Sequence, residues 1–149
     1  MTIQQCLLAG RGLIEPTVPV SGMLFTDGPD TRSYSGNGSN VTMANNSYTI
    51  PDNWLEKNYT YSWSISSTAS YTCIGYTVRL YKNGVEVANW STPASNESYF
   101  RYNSGTRSGN HTMSLKAGDT VTAEIYIRGR NVGGSTPAAT NYHQCQRVS

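Results

Sequence analysis

The chain has 149 residues and a mass of 16.3 kDa, enough for one domain whose core stands without disulfide staples. Only 13% of the residues are charged and the formal net charge is +2, with the Lys and Arg scattered rather than clustered, which excludes the basic footprint of a nucleic-acid binder. Ser, Thr, Asn, Gly and Tyr are plentiful instead, a composition suited to a rigid extracellular or virion β-domain with many short loops.

Residues 1–20 read differently from the rest. Met1-Thr-Ile-Gln-Gln-Cys-Leu-Leu-Ala-Gly-Arg11 has neither a basic stretch nor an apolar run long enough for a signal peptide, and no segment approaches a membrane span. The expectation is synthesis in a cytoplasm and release by lysis or assembly. Pro16 and Pro19 favour extended backbone. The segment is read as an arm that leaves a domain spanning 21–149 and engages a partner through Ile3, Cys6, Leu7, Leu8, Arg11, Leu13 and Ile14. A disordered terminus or an added edge strand is the competing reading.

Gly22 to Phe25 is the first strand expected, closed by a turn at Thr26-Asp-Gly-Pro-Asp30. Asp27 and Asp30 have the chemistry of hard-cation ligands, but Asp beside Gly-Pro is commonly a turn former, and no metal is assigned. After a Gly/Ser/Asn-rich loop from Tyr34, Val41–Met43 and Tyr48–Ile50 read as two strands split by an Asn45-Asn46 turn, and Pro51–Asn58 as room for one helical turn. Tyr59-Thr-Tyr-Ser-Trp-Ser-Ile-Ser66 alternates cleanly, with Tyr59, Tyr61, Trp63 and Ile65 on one face and only Thr and Ser on the other. Such an aromatic face could stack sugars, but in a strand it usually belongs to the core.

Tyr71 to Trp90, YTCIGYTVRLYKNGVEVANW, is a hairpin around Asn83-Gly84, because a two-residue type I′ turn needs positive φ at both central positions. Ile74, Tyr76, Val78 and Leu80 fall on one face, and Thr77, Arg79 and Tyr81 on the other. Glu97–Tyr102 follows as a strand and Asn103–Asn110 as a wide turn. His111 to Ile127 supplies two strands connected by Lys116-Ala-Gly-Asp119, Gly129–Pro137 a Gly-rich loop, and Ala138–Cys145 a strand that closes the sheet. About eight short strands without a convincing helix make an all-β antiparallel sandwich.

Two of these stretches carry a resemblance. VRLYKNGVEVA, followed some thirty positions later by MSLKAGDTVTAEI, resembles the strand pairs of C1q- and TNF-like jelly rolls and of similar β-sandwich domains on bacteriophage virions. It covers about half the chain, from Tyr71 to Arg128. It implies a jelly roll, a homotrimer packed as in that family, and a structural place in a virion.

Candidate chemistry is sparse. Cys6, Cys73 and Cys145 make no Cys-x-x-Cys pattern, and an odd number excludes full internal pairing; a cysteine within a strand is commonly a small buried hydrophobe. His111 and His143 have no Cys, Asp or Glu at ligand spacing, and no Gly-x-Ser-x-Gly elbow is present. Glu97 and Glu124 would make a glycosidase pair only if the fold brought them within roughly 5–10 Å. Seven Asn-x-Ser/Thr triplets reflect loop composition in a chain read as unsecreted. No catalytic residue and no cofactor is assigned. Trp90, Tyr99, Arg101, Tyr102 and Arg107 combine amphipathic aromatics with guanidinium groups and are the candidate surface-loop binding residues.

The leading expectation is a capsid decoration or cement subunit, located in the virion and bridging major capsid or other virion proteins, with no nucleic acid and no membrane as partner. A receptor-binding tip that holds a host saccharide is the alternative, although no coiled coil or internal repeat supplies a fibre shaft. A carbohydrate-binding module is the third.

Overall fold

The computed structural model describes residues 22–33, 40–67, 72–91, 105–131 and 138–148. Among them lie eight strands: β1 (Met23–Ser33), β2 (Asn40–Thr49), β3 (Lys57–Ser67), β4 (Thr72–Lys82), β5 (Val85–Ser91), β6 (Gly105–Leu115), β7 (Thr120–Asn131) and β8 (Ala138–Arg147). They form two antiparallel four-stranded sheets, ordered β1-β8-β3-β6 and β2-β7-β4-β5. Every connection but the β4–β5 hairpin crosses from one sheet to the other, the winding of a jelly roll.

The core follows from period-two alternation. Tyr59, Tyr61, Trp63 and Ile65 of β3 are buried, so its aromatic face belongs to the core. Val78 and Leu80 of β4 and Val121, Ala123, Ile125 and Ile127 of β7 meet them from the other sheet. Each fully buried side chain of this size contributes about 1.5–3 kcal/mol. Packing of this density also dictates a glycine: a Cβ at Gly109, opposite Trp63 in register, would lie 2.7 Å from the indole Nε1.

One end of the sandwich is tied by a carboxylate. Asn83 (φ 52°) and Gly84 (φ 77°) form the hairpin turn with the positive φ that the sequence demands. The Asn83 amide donates to Asp119 Oδ1 at 2.8 Å, and its Oδ1 accepts from the N–H of Thr120 at 2.8 Å. Asp119 Oδ2 accepts from the Lys116 N–H and pairs with Lys82 Nζ, each at 3.0 Å. The Asp119 carbonyl takes the N–H of Ile50, and the Ile50 carbonyl takes that of Gly118. A single residue thereby joins the β2–β3, β4–β5 and β6–β7 connections.

Several strands run further than the sequence suggests. β1 continues through the expected 26–30 turn, with a register irregularity between Asp27 and Asp30. Gly28 (φ 98°) packs so closely that a Cβ would strike the Asn141 carbonyl oxygen, so the glycine serves strand contact there. β2 is continuous across Asn45-Asn46, which pair with Glu124 and Ala123; its irregularity is a bulge between Thr42 and Ala44. The expected helical turn is one reverse turn, with the Trp54 N–H on the Pro51 carbonyl and the Trp54 ring stacked at 6.1 Å on Tyr48.

Residues 105–110 of the expected wide turn belong to β6, held in continuous register on β3. Gly129–Asn131 extend β7 against β4. Lys116–Asp119 carries the chain between sheets and not around a hairpin, and β8 lies inside its sheet between β1 and β3. The expected strand at 97–102 and the arm at 1–20 lie outside the described residues.

Alternating strand directions put the two ends of the sandwich to different uses. Gly22, Val148 and the short connections share the end tied by Asp119, whereas Ser33, Ser67, Ser91 and Asn131 finish their strands at the opposite end.

Two outcomes are expected. Burial alone would raise the Asp119 pKa, but the hydrogen bonds from Asn83, Lys116 and Lys82 outweigh it and hold the carboxyl at about 2. This depressed value stabilises the fold above about pH 4, and the contribution disappears as pH falls towards about 2. Asp119→Asn is expected to cost on the order of 1–2 kcal/mol at neutral pH, the gap from the parent closing across that acid window in urea titrations; a pH-independent gap would contradict the tie. Gly109→Ala is expected to cost about 1–3 kcal/mol and to shift tryptophan fluorescence as the indole is displaced, and an unchanged unfolding midpoint would contradict the packing.

Candidate functional site

A second polar constellation, assembled from four strands, surrounds His143. Its position in β8 places it opposite Asp27 of β1 and Trp63 of β3, on the inward face. The imidazole is fully buried and takes a T-shaped contact with Tyr61, centroids 5.8 Å apart, beside Phe25 at 5.6 Å. The Tyr61 hydroxyl lies 3.1 Å from Nδ1, and Asn46 Oδ1, from β2 of the facing sheet, lies 3.1 Å from Nε2.

An amide oxygen only accepts, so Nε2 carries the proton and Nδ1 accepts from the Tyr61 hydroxyl. Both nitrogens of a neutral ring are then satisfied. Asp27 Oδ2 stands 3.8 Å from Nε2, too far for a hydrogen bond, while Asp27 Oδ1 accepts the Gly28 N–H at 2.9 Å. Burial pushes the His143 pKa below its ordinary value, and the Asp27 carboxylate opposes that shift. Two neighbours on the same face add no reactivity. Burial raises the Cys145 thiol to about 12, which keeps it protonated and a poor nucleophile. Asn141 is fully buried, and its amide has no hydrogen-bond partner among the described residues. The arrangement ties one sheet to the other through a neutral imidazole.

Of the candidate surface residues, Trp90 lies in β5 and not in a loop. Its indole packs at 6.1 Å from Tyr61 and 5.7 Å from Trp63, partly buried against the core. Arg107 is exposed on β6, donating from Nη1 to the Thr106 carbonyl at 3.3 Å. Tyr99, Arg101 and Tyr102 lie outside the described residues, as do Ile3, Cys6, Leu7, Leu8, Arg11, Leu13 and Ile14. Glu124 accepts from the Tyr81 hydroxyl at 3.4 Å; Glu97, its imagined partner, is outside the described residues. The His143 cluster escapes a sequence reading because its members come from four strands. Only the period of two through Asn141, His143 and Cys145 signals that the histidine faces inward.

No family model matches the sequence, and no curated protein matches it. Solved structures do. The infectious bursal disease virus VP2 subviral particle aligns over 81% of this chain and 31% of its own, at 10% identity and a TM-score of 0.44. The insecticidal delta-endotoxin Cry8Ea1 of Bacillus thuringiensis aligns over 80% and 20%, at 14% identity and 0.41. A family 35 carbohydrate binding module from Clostridium thermocellum aligns over 87% and 98%, at 9% identity and 0.37. The chain thus spans less than a third of the VP2 and endotoxin chains. It is a jelly-roll-like β-sandwich similar in architecture to viral VP2 and family 35 domains, without a family assignment.

The lowered His143 pKa fixes a sign. The unfolded chain takes the proton more readily than the fold does, so stability falls as pH drops below about 6.5 and levels off beneath the folded value. Urea midpoints at pH 7.5 and 5 are expected to show this slope in the parent chain, a shallower one in His143→Gln and a steeper one in Asp27→Asn. Identical slopes in all three would contradict the assignment of a neutral, buried ring.

Proposed function

We propose that the chain is a virion structural protein, a capsid decoration subunit that bridges neighbouring shell proteins. The observation that carries this reading is the polarity of the sandwich. The described chain enters at Gly22 and finishes at Val148 on the end tied by Asp119, where the Arg147 N–H meets the Gly22 carbonyl and the Val148 N–H meets that of Asn58. Gly22, the first described residue, lies at the end with short, cross-linked turns, away from the end where β1, β3, β5 and β7 finish, and the proposed arm of residues 1–20 would leave from there. A rigid block held by one end adds contacts to an assembled shell without altering its own fold.

The reading is mechanical. A subunit that binds only the assembled state lowers the free energy of that state by mass action, in proportion to its occupancy and affinity. The arm residues Ile3, Leu7, Leu8, Leu13 and Ile14 supply apolar area for such binding, and Arg11 a polar anchor. A homotrimer of the C1q- and TNF-like kind is the assembly proposed for it.

Removing residues 2–20 is expected to abolish attachment to capsids while leaving the urea midpoint of the sandwich unchanged. Co-sedimentation of the truncated and full-length chains with undecorated shells checks this. Equal attachment of both chains would sink the arm mechanism.

A further inference from the structure

The outward faces of the two sheets differ in charge. In the β2-β7-β4-β5 sheet, Arg79 and Glu86 pair at 3.7 Å and Glu124 accepts from Tyr81, the ordinary mixture of a solvated protein surface. The outward positions of the β1-β8-β3-β6 sheet alternate with the buried core residues of the same strands. Register places Thr26, Gln144, Ser62 and Asn110 in one row across the four strands, and Tyr142, Ser64 and Ser108 in the next. Thr31, Thr140, Ser66 and Thr106 make a third row. None of these outward positions is Asp, Glu, Lys or Arg; a carboxylate borders them at the Asp119 end, where Glu56 accepts from the Ser114 hydroxyl.

The side chains are short and already ordered. Thr31 and Thr140 share a hydroxyl hydrogen bond at 2.7 Å, and Thr60 and Thr112 one at 2.8 Å. Tyr142, an exposed aromatic within this face, donates its hydroxyl to Gln144 Oε1 at 2.7 Å. Little side-chain entropy remains to be lost on binding.

Composition narrows the partner. Nucleic acid and anionic lipid need Lys or Arg. Protein interfaces are enriched in aromatic residues, Met and Arg and depleted in Ser, and apart from Tyr142 these rows are the reverse. A neutral carbohydrate fits on both counts: its hydroxyls exchange hydrogen bonds with Ser, Thr and amide groups, its apolar C–H face stacks on tyrosine, and it brings no charge to be compensated. We propose that the outward face of the β1-β8-β3-β6 sheet binds a neutral polysaccharide, with Tyr142 as its stacking centre. This surface is independent of the arm and does not rest on the decoration reading.

The test is affinity electrophoresis of the full chain in native gels containing hydroxyethylcellulose, galactomannan, mixed-linkage β-glucan or dextran, with heparin and polygalacturonate as charged controls. At least one neutral polymer is expected to retard the chain and neither polyanion to do so. Tyr142→Ala is expected to weaken that retardation about fivefold or more, and Ser64→Glu to remove it, whereas Thr122→Glu on the opposite sheet leaves it unchanged. Amide shifts of the unaltered chain, titrated with an oligosaccharide of the retarding polymer, are expected around Tyr142, Ser64 and Gln144, which keeps the test independent of how the variants fold. Retardation by polyanions alone, by no neutral polymer, or with shifts confined to other surfaces would overturn the proposal.

Discussion

Asp119 is the constraint on which this sandwich depends. Jelly-roll winding throws consecutive strands into opposite sheets, so backbone ladders alone do not hold one sheet to the other at its ends. The Asp119 carboxylate and carbonyl do so, through Asn83, Lys116, Lys82 and Ile50. The carboxylate joins the β4–β5 and β6–β7 connections and the backbone carbonyl adds the β2–β3 connection, and the cost of burying the charge is offset by its donors. Asn83 serves twice, accepting the left-handed conformation of the turn and bridging the turn to β7.

From that end the core extends as a stack of aromatic rings. Tyr61 and Trp63 face Trp90 and Tyr76 across the sandwich, and Gly109 gives the Trp63 indole its space. Towards the β1 and β2 edges the apolar stack gives way to the imidazole of His143, whose bonds to Tyr61 and Asn46 span both sheets. Polar ties thus occur at the turn end and at one edge, and apolar packing fills the volume between them.

Period-two patterns made most of this legible in the sequence. The β3 face and the Asn83-Gly84 hairpin could be read directly, because alternation and turn chemistry are local properties. Strand extents at Asp27–Asp30, Asn45-Asn46 and Gly105–Asn110 could not, since Gly, Asn and Asp favour turns locally and only pairing with β8, β7 and β3 keeps them extended. Trp90, at the end of the hairpin's second arm, reads as a loop residue because nothing local shows its ring packing on Tyr61 and Trp63. The His143 cluster and the Asp119 node were hidden by distance along the chain: Asn83 and Asp119 each belong to a recognisable turn, but nothing local shows that the turns meet. The uncharged sheet face was present as alternating Thr and Ser, yet it acquires meaning only when register sets the rows of β1, β8, β3 and β6 side by side.

A sandwich with one cross-linked end suits the proposed role, in which strength matters more than turnover. The most direct measurement of the proposed role is rupture of virus particles that carry or lack this chain, by stepwise heating or osmotic shock with genome release as the readout. Decoration predicts that particles lacking it release their genome under milder conditions and regain resistance when the purified full-length chain is added back. Equal resistance with and without the chain, at full occupancy, would contradict it.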